Sequence, residues 1–437
     1  MVRVGERRRF SGFLVLVAAV AGCSSGSGQS TNSSVPATSA ISNEDYVANE
    51  PADGAFPLFA EGAVAPLVVA DNDFAPVARA AGDLQNDLQM VTDARPVLAT
   101  NTAPAGSKLA VLIGTVGHSS LIDGLVSSKK LDAGALSDHG QAKWETFLIQ
   151  VVAQPAPGVD QALVIAGSDK RGTIYGIYDL SRRIGVSPWT FWDDVVPRKQ
   201  AALYVRAGRY SQGTPAVKYR GFFINDENPQ TGTWAATMFG PGKAPGYLGG
   251  LNHAYYERVF EVMLRLRANY LWPAVWGRAF FEDDPENQAT ADRYGVVMGT
   301  SHEAPMNRGI EEWNRHAANG TDPYGGNGSW SFKTNEAALR AYWADGAKRI
   351  GGSDVVVTLG MRGNGDFSAP DLTSGDQANI TLMTSIVDAQ RQILHDNTGQ
   401  ALSAIPQVFT LYKEVQRFWD GGMKIPDDVT VIFCDDN

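Results

Sequence analysis

Four carboxylates stand where short apolar runs end. Asp226 follows Phe222-Phe223-Ile224-Asn225, Asp366 follows Met361-Arg362-Gly363-Asn364-Gly365, Glu414 follows Tyr412-Lys413, and Asp435 follows Val431-Ile432-Phe433-Cys434. Asn225 and Glu227 flank the first of them. Paired carboxyl groups can divide acid–base work: one protonates a leaving oxygen while the other activates water or attacks directly. One strand-end acid is as well explained by a helix N-cap or a first-turn charge. Recurrence at the same point of a repeating pattern is not.

Other side chains share those positions. Trp272 and Trp276 follow the second apolar run, and His302 follows the third. Arg362, Asn364 and Lys413 stand beside the acids of the later runs. The indoles are either barrel packing or platforms for the apolar face of a pyranose. His302 either caps a helix or touches substrate. Arg362 and Lys413 either pair with a neighbouring acid or bind a substrate carboxylate. There is no HExxH, no Cys/His cluster with ligand spacing, no phosphate-cradling Gly-rich loop and no GxSxG elbow. Gly363-Asn364-Gly365 lacks the further glycine and acid of a dinucleotide site. The reading therefore expects no metal and no cofactor.

The elements that must carry these residues alternate from Lys218 onward. Apolar strands are expected over 219–225, 268–275, 295–300, 355–361, 406–412 and 429–434, with helices between them. In the stretch 254–267, Tyr255, Val259, Val262, Met263 and Leu266 share one helical face. Continuous apolar strands separated by helices predict a parallel sheet covered by helices. A (β/α)8 barrel and an open doubly wound sheet compete. All the polar strand ends converge on one face only in a barrel, so the barrel is favoured. Six strands leave it unclosed, and the reading expects at least two further βα units beyond Asn437.

Upstream, residues 55–210 read as a smaller α/β domain and 217–437 as the barrel. Strands are expected at 66–70, 109–113, 146–152 and 162–166, a helix over 74–91, and a second helix from Ser168-Asp169 to Gly185. A Pro/Trp-rich segment, Ser187 to Pro197, follows. Before the domain lies a Ser/Gly/Thr-rich tether, 24–54. Residues 1–23 combine Arg3, Arg7, Arg8 and Arg9 with a short apolar run and Val20-Ala21-Gly22-Cys23. That pattern predicts a bacterial lipoprotein signal, with Cys23 lipidated and the protein exported to the cell surface or periplasm. Only two cysteines exist, so no internal disulfide is expected, and Cys434 is expected in the core. Net charge is −10 with no basic run after residue 9, which argues against nucleic-acid binding.

The runs 218–227 (Lys-Tyr-Arg-Gly-Phe-Phe-Ile-Asn-Asp-Glu), 269–276 (Asn-Tyr-Leu-Trp-Pro-Ala-Val-Trp), 298–302, 360–366, 412–416 and 434–437 together resemble family-115 glycoside hydrolases, xylan α-1,2-glucuronidases. The resemblance implies removal of glucuronic acid, or its 4-O-methyl ether, from glucuronoxylan by inversion. It carries the family's acids onto Asp226, Asp366, Glu414 and Asp435. Asp226 is favoured as general acid and Glu414 as base. The expected partner is a polysaccharide, with a homodimer as a candidate assembly and membrane contact only through the lipid. Two departures bear on substrate preference. Ser301-His302-Glu303-Ala304-Pro305-Met306 stands where the family has Ser-His-His-Glu-Pro-Met, and Asn364 replaces an acid. A hexosaminidase-type glycosidase and a catalytically inactive glycan-binding lipoprotein are the rival readings.

Overall fold

The computed structural model describes the backbone of residues 41–42 and the whole of residues 45–225, 229–317 and 322–434. Cys23, Asp226, Glu227 and Asp435 lie outside the described residues, as does the expected signal and tether up to residue 40.

The N-terminal α/β part is built on a seven-stranded sheet ordered Ile41–Ser42, Arg209–Gln212, Phe147–Ala156, Val159–Gly167, Leu109–Thr115, Leu67–Val69, Leu98–Thr100. Val159–Gly167 and the three strands beyond it run parallel. The stretches 162–167, 110–115 and 67–69 are buried on both faces, with helices on both sides. The helix Lys170–Arg183 starts where Asp169 accepts from the Gly172 N–H at 2.8 Å, a side-chain N-cap. Gly172 permits the close approach, since a Cβ there would lie 2.3 Å from the Thr146 carbonyl oxygen. A second sheet pairs Leu203–Val205 with Val47–Ala48 and Phe56–Ala60.

Six parallel strands follow: Gly221–Phe223, Tyr270–Trp272, Val297–Met298, Val357–Leu359, Gln407–Leu411 and Thr430–Phe433. Ladders join the first three and the last three. A parallel bridge between Met298 and Val355 joins the two sets, so the strands form one arc in chain order. This is the incomplete barrel expected from the alternation; among the described residues no ladder joins the first strand to the sixth. Val297, Val356 and Val408 pack with Tyr219, Tyr270 and Ile432 as a separate inner cluster. Their strand neighbours Leu271, Met298, Val357 and Phe409 face the covering helices instead, the period-two alternation of a barrel wall. Gly221 is required: a Cβ there would fall 1.5 Å from the Tyr270 carbonyl oxygen.

Charged groups bind the N-terminal part to the base of the arc. Glu145, with no exposed side-chain surface, accepts from Arg171 Nε at 2.7 Å, Arg220 Nη2 at 2.6 Å and Asn269 Nδ2 at 2.7 Å. Arg171 also reaches Asp354 Oδ2 at 2.6 Å. Arg220, Asn269 and Asp354 each precede a barrel strand, so this network closes the N-terminal ends and leaves the C-terminal ends open.

Cys434 corrects an expectation. It is only partly buried at the end of the sixth strand, because that strand is at the edge of the arc, where Phe433 is also largely exposed.

Candidate active site

The chemistry gathers at the C-terminal ends of the third, fourth and fifth barrel strands. After the fourth strand the chain makes one tight turn, Asn364–Asp366, in which Gly365 and Asp366 hold positive φ angles of 66° and 65°. After the fifth, Lys413 holds φ 48° and the helix Glu414–Asp420 begins at once. Non-glycine residues in the left-handed region are held there by their surroundings.

Asp366 is the hub. One oxygen accepts from Tyr412 Oη at 3.0 Å and from Lys413 Nζ. The other lies 3.3 Å from His302 Nε2 and 3.6 Å from Arg362 Nη2. Its backbone N–H donates to Glu303 Oε1 at 2.6 Å. Partial burial pushes its carboxyl pKa up, but hydrogen bonds from Lys413, Tyr412 and His302 and the charge of Arg362 hold it below the usual range. Asp366 is therefore an anion.

Arg362 is 3% exposed and links two carboxylates, standing 3.6 Å from Asp366 and 3.6 Å from Glu414 Oε2. Its guanidinium stacks over the Tyr412 ring at 4.7 Å, and its carbonyl accepts from Trp330 Nε1 at 2.7 Å. Its Nε and Nη1 are buried with no hydrogen-bond partner among the described residues, as is Oε1 of Glu414. His302 stacks on Tyr412 at 4.6 Å. Burial, then the Arg362 charge, lowers its pKa to about 4, so its imidazole is neutral at neutral pH. Burial raises the pKa of Glu303.

Trp276 belongs to this site: its indole hydrogen-bonds Glu303. It lines a cavity of roughly 180 Å3 with Glu303, Thr300, Asn364 and Gly365. Trp272 does not share that contact. Its Nε1 donates to Tyr270 Oη at 2.6 Å and its ring packs edge-on against Phe223, which is barrel packing. Asn225 is exposed at the end of the first strand. The structure thus brings together Asp366, Glu414, His302, Arg362, Lys413, Asn364 and Trp276. Sequence reasoning did not assign site roles to Tyr412 and Glu303. Each adjoins a residue that it did select, and that adjacency was the available signal. Among the described residues no three His, Cys, Asp or Glu side chains group as metal ligands.

The family model for glycosyl hydrolase family 115 matches residues 212–437. The chain belongs to this family. Among solved structures it is similar to a family GH115 4-O-methyl-α-glucuronidase with specificity for decorated arabinogalactans, with 32% identity and a TM-score of 0.72. That match covers 85% of this chain and 46% of the other, so the chain spans under half the length of this relative. An N-acetyl-β-hexosaminidase from Streptomyces plicatus aligns with 10% identity and a TM-score of 0.46, covering 87% of this chain and 66% of that one. At that level the likeness bears on neither activity nor substrate. Comparison with curated proteins gives no match. The strand-end residues described above all lie within the matched region.

Proposed function

We propose that the protein is an exo-acting α-glucuronidase that removes α-1,2-linked glucuronic acid, or its 4-O-methyl ether, from glucuronoxylan. The observation that carries this reading is Arg362. A buried guanidinium stands within charge reach of two carboxylates, yet 3.6 Å from each, too far for strong hydrogen bonds. Two of its nitrogens have no hydrogen-bond partner among the described residues. Buried donors of this kind carry a cost unless a ligand satisfies them. A uronate carboxylate matches them in charge and in planar geometry. Lys413, half exposed beside Asp366, supplies a second cation.

In this proposal Glu414 is the general base. Its Oε1, which has no hydrogen-bond partner among the described residues, takes a proton from water. Asp226 donates the proton to the leaving oxygen, and the displacement inverts the anomeric centre, a geometry that needs roughly 6.5–9.5 Å between the two carboxyl groups. Asp366 stays ionised and acts through charge, stabilising the positive character of an oxocarbenium-like transition state. Asp435 is kept as a further acid of the same site. We also propose that the protein is an exported lipoprotein anchored through Cys23.

A second substrate reading has a specific support: the solved relative has specificity for decorated arabinogalactans. The test is release of free uronic acid by the full chain from glucuronoxylan and, separately, from glucuronylated arabinogalactan. Release from the first alone supports the proposal, and release from the second alone transfers the substrate. No release, with glycan binding retained, supports an inactive binding protein.

A further inference from the structure

The Pro/Trp-rich segment 187–197 is not used by the site described above. It packs against the helix Gln230–Phe239 as a surface cluster of aromatic rings. Trp192 and Trp234 lie 5.6 Å apart with their planes 34° from each other. Phe191, Phe239 and Tyr255 back them, with Phe239 and Tyr255 edge-on to Trp234. Trp234 remains 40% exposed and Met238, one turn on, 54% exposed. A surface helix normally turns charge to solvent. This one, Gln-Thr-Gly-Thr-Trp-Ala-Ala-Thr-Met-Phe, carries none. Its exposed residues pair the indole with hydroxyls at Thr233 and Thr237. Thr237 Oγ1 donates within the helix to the Thr233 carbonyl at 2.9 Å, so its lone pairs are left to accept.

We propose that Trp192, Trp234 and Met238 form a stacking platform for the neutral pyranose main chain of the polysaccharide, outside the pocket that takes the uronate. The platform rests on the glucuronidase reading for the identity of its polymer. Three observations point to a neutral sugar. A pyranose presents an apolar face to an indole. The helix offers uncharged hydroxyls and no ions. Asp193 and Asp194 are exposed beside Trp192 and disfavour uronate branches at this spot, which leaves the undecorated stretches of the main chain. Position supports continuity with the site. In a βα unit the strand's C-terminal end and the next helix's N-terminus share a face. The platform contacts Tyr255, in the first turn of the helix His253–Arg265, with both indoles 6.4 Å from that ring. It therefore sits on the rim of the face that carries Asp366 and Glu414. Asn252 Nδ2 donates to the Phe239 carbonyl at 2.9 Å, and Trp192 Nε1 to the Arg258 carbonyl at 3.3 Å. The rings are thus fixed before a ligand arrives.

The experiment compares wild type, Trp234→Ala and Met238→Ala in the full chain, on polymeric glucuronoxylan and on a short glucuronyl-xylooligosaccharide. The expected result for Trp234→Ala is a roughly three- to tenfold higher KM on the polymer, the scale of one aromatic contact. The expected kcat, and both constants on the short substrate, are those of wild type. Unchanged KM on the polymer overturns the platform, as does an equal loss on both substrates. A change of oligomeric state in the variant also overturns it, since the patch is then an interface between copies. If wild type releases no uronic acid from either substrate, the glucuronidase reading fails by itself. The platform is then read by quenching of tryptophan fluorescence with undecorated xylooligosaccharides. Loss of quenching in Trp234→Ala supports it, and quenching equal to wild type overturns it.

Discussion

Lys413 donates to the carboxylate of Asp366, and both residues hold left-handed backbone, with φ of 48° and 65°. The two strand-end turns are thereby fixed to each other by their side chains. Asparagine tolerates that backbone better than most residues, so Asp366→Asn changes the charge and spares the turn. We expect turnover to fall about a hundredfold or more, the scale of a lost electrostatic stabiliser, with an unchanged melting temperature to within a few degrees. Steady-state kinetics and a thermal melt check both halves.

Glu414→Gln and Asp226→Asn test the acid–base pair. Each should lower turnover on unactivated xylan by about a hundredfold or more. An activated leaving group needs no proton, so it should rescue Asp226→Asn and leave Glu414→Gln impaired. Rescue of the opposite variant reverses the assignment.

Arg362→Lys keeps the charge and loses the planar fork. We expect kcat/KM on the uronate substrate to fall at least about tenfold, because a bidentate contact is not reproduced by an ammonium group. The guanidinium also holds down the pKa of Asp366. Arg362→Met should therefore move the acid limb of the pH profile upward. An acid limb in the same place as in wild type contradicts that coupling.

His302 sets a pH dependence of stability. Its folded pKa is about 4 against an ordinary 6.5. Between those values the unfolded chain binds a proton that the folded chain refuses, so stability falls as pH drops through the window and is regained above it. The full shift is worth about 3 kcal/mol. Melting temperature measured from pH 7 to pH 4 should fall less steeply in His302→Gln than in wild type. Asp366, whose pKa is lowered from 3.8, loses its contribution only below this window, so the two effects separate. Parallel curves for the two proteins contradict the assignment.

Much of the arc was legible because a barrel strand is apolar on both faces and stops at its catalytic end. All six strands fall inside the expected segments, and the helix His253–Arg265 matches 254–267 within two residues. Asp366, Glu414 and Arg362 were selected by their place at strand ends, and the structure brings them together. The hold of Glu303 on the Asp366 N–H was not legible, since it depends on the shape of a turn rather than on a residue pattern. Trp272 and Trp276 stand four residues apart in similar surroundings. Trp272 ends the strand Tyr270–Trp272 and bonds back to Tyr270, whereas Trp276 stands in the turn beyond it, and that loop separates packing from pocket. The pairing of Phe56–Ala60 with Leu203–Val205 was equally hidden, because periodicity reports on faces and not on distant partners.

The network beneath the barrel has a consequence for synthesis. Arg171 is buried against Asp354, 183 residues later in the chain. A ribosome adding roughly 5–20 residues per second leaves that guanidinium without this partner for about ten to forty seconds. During this interval Glu145, placed earlier in the chain, is the acid that the helix Lys170–Arg183 already has to hand. The N-terminal sheet can thus emerge with its charge matched, and each barrel strand that follows finds its starting point waiting.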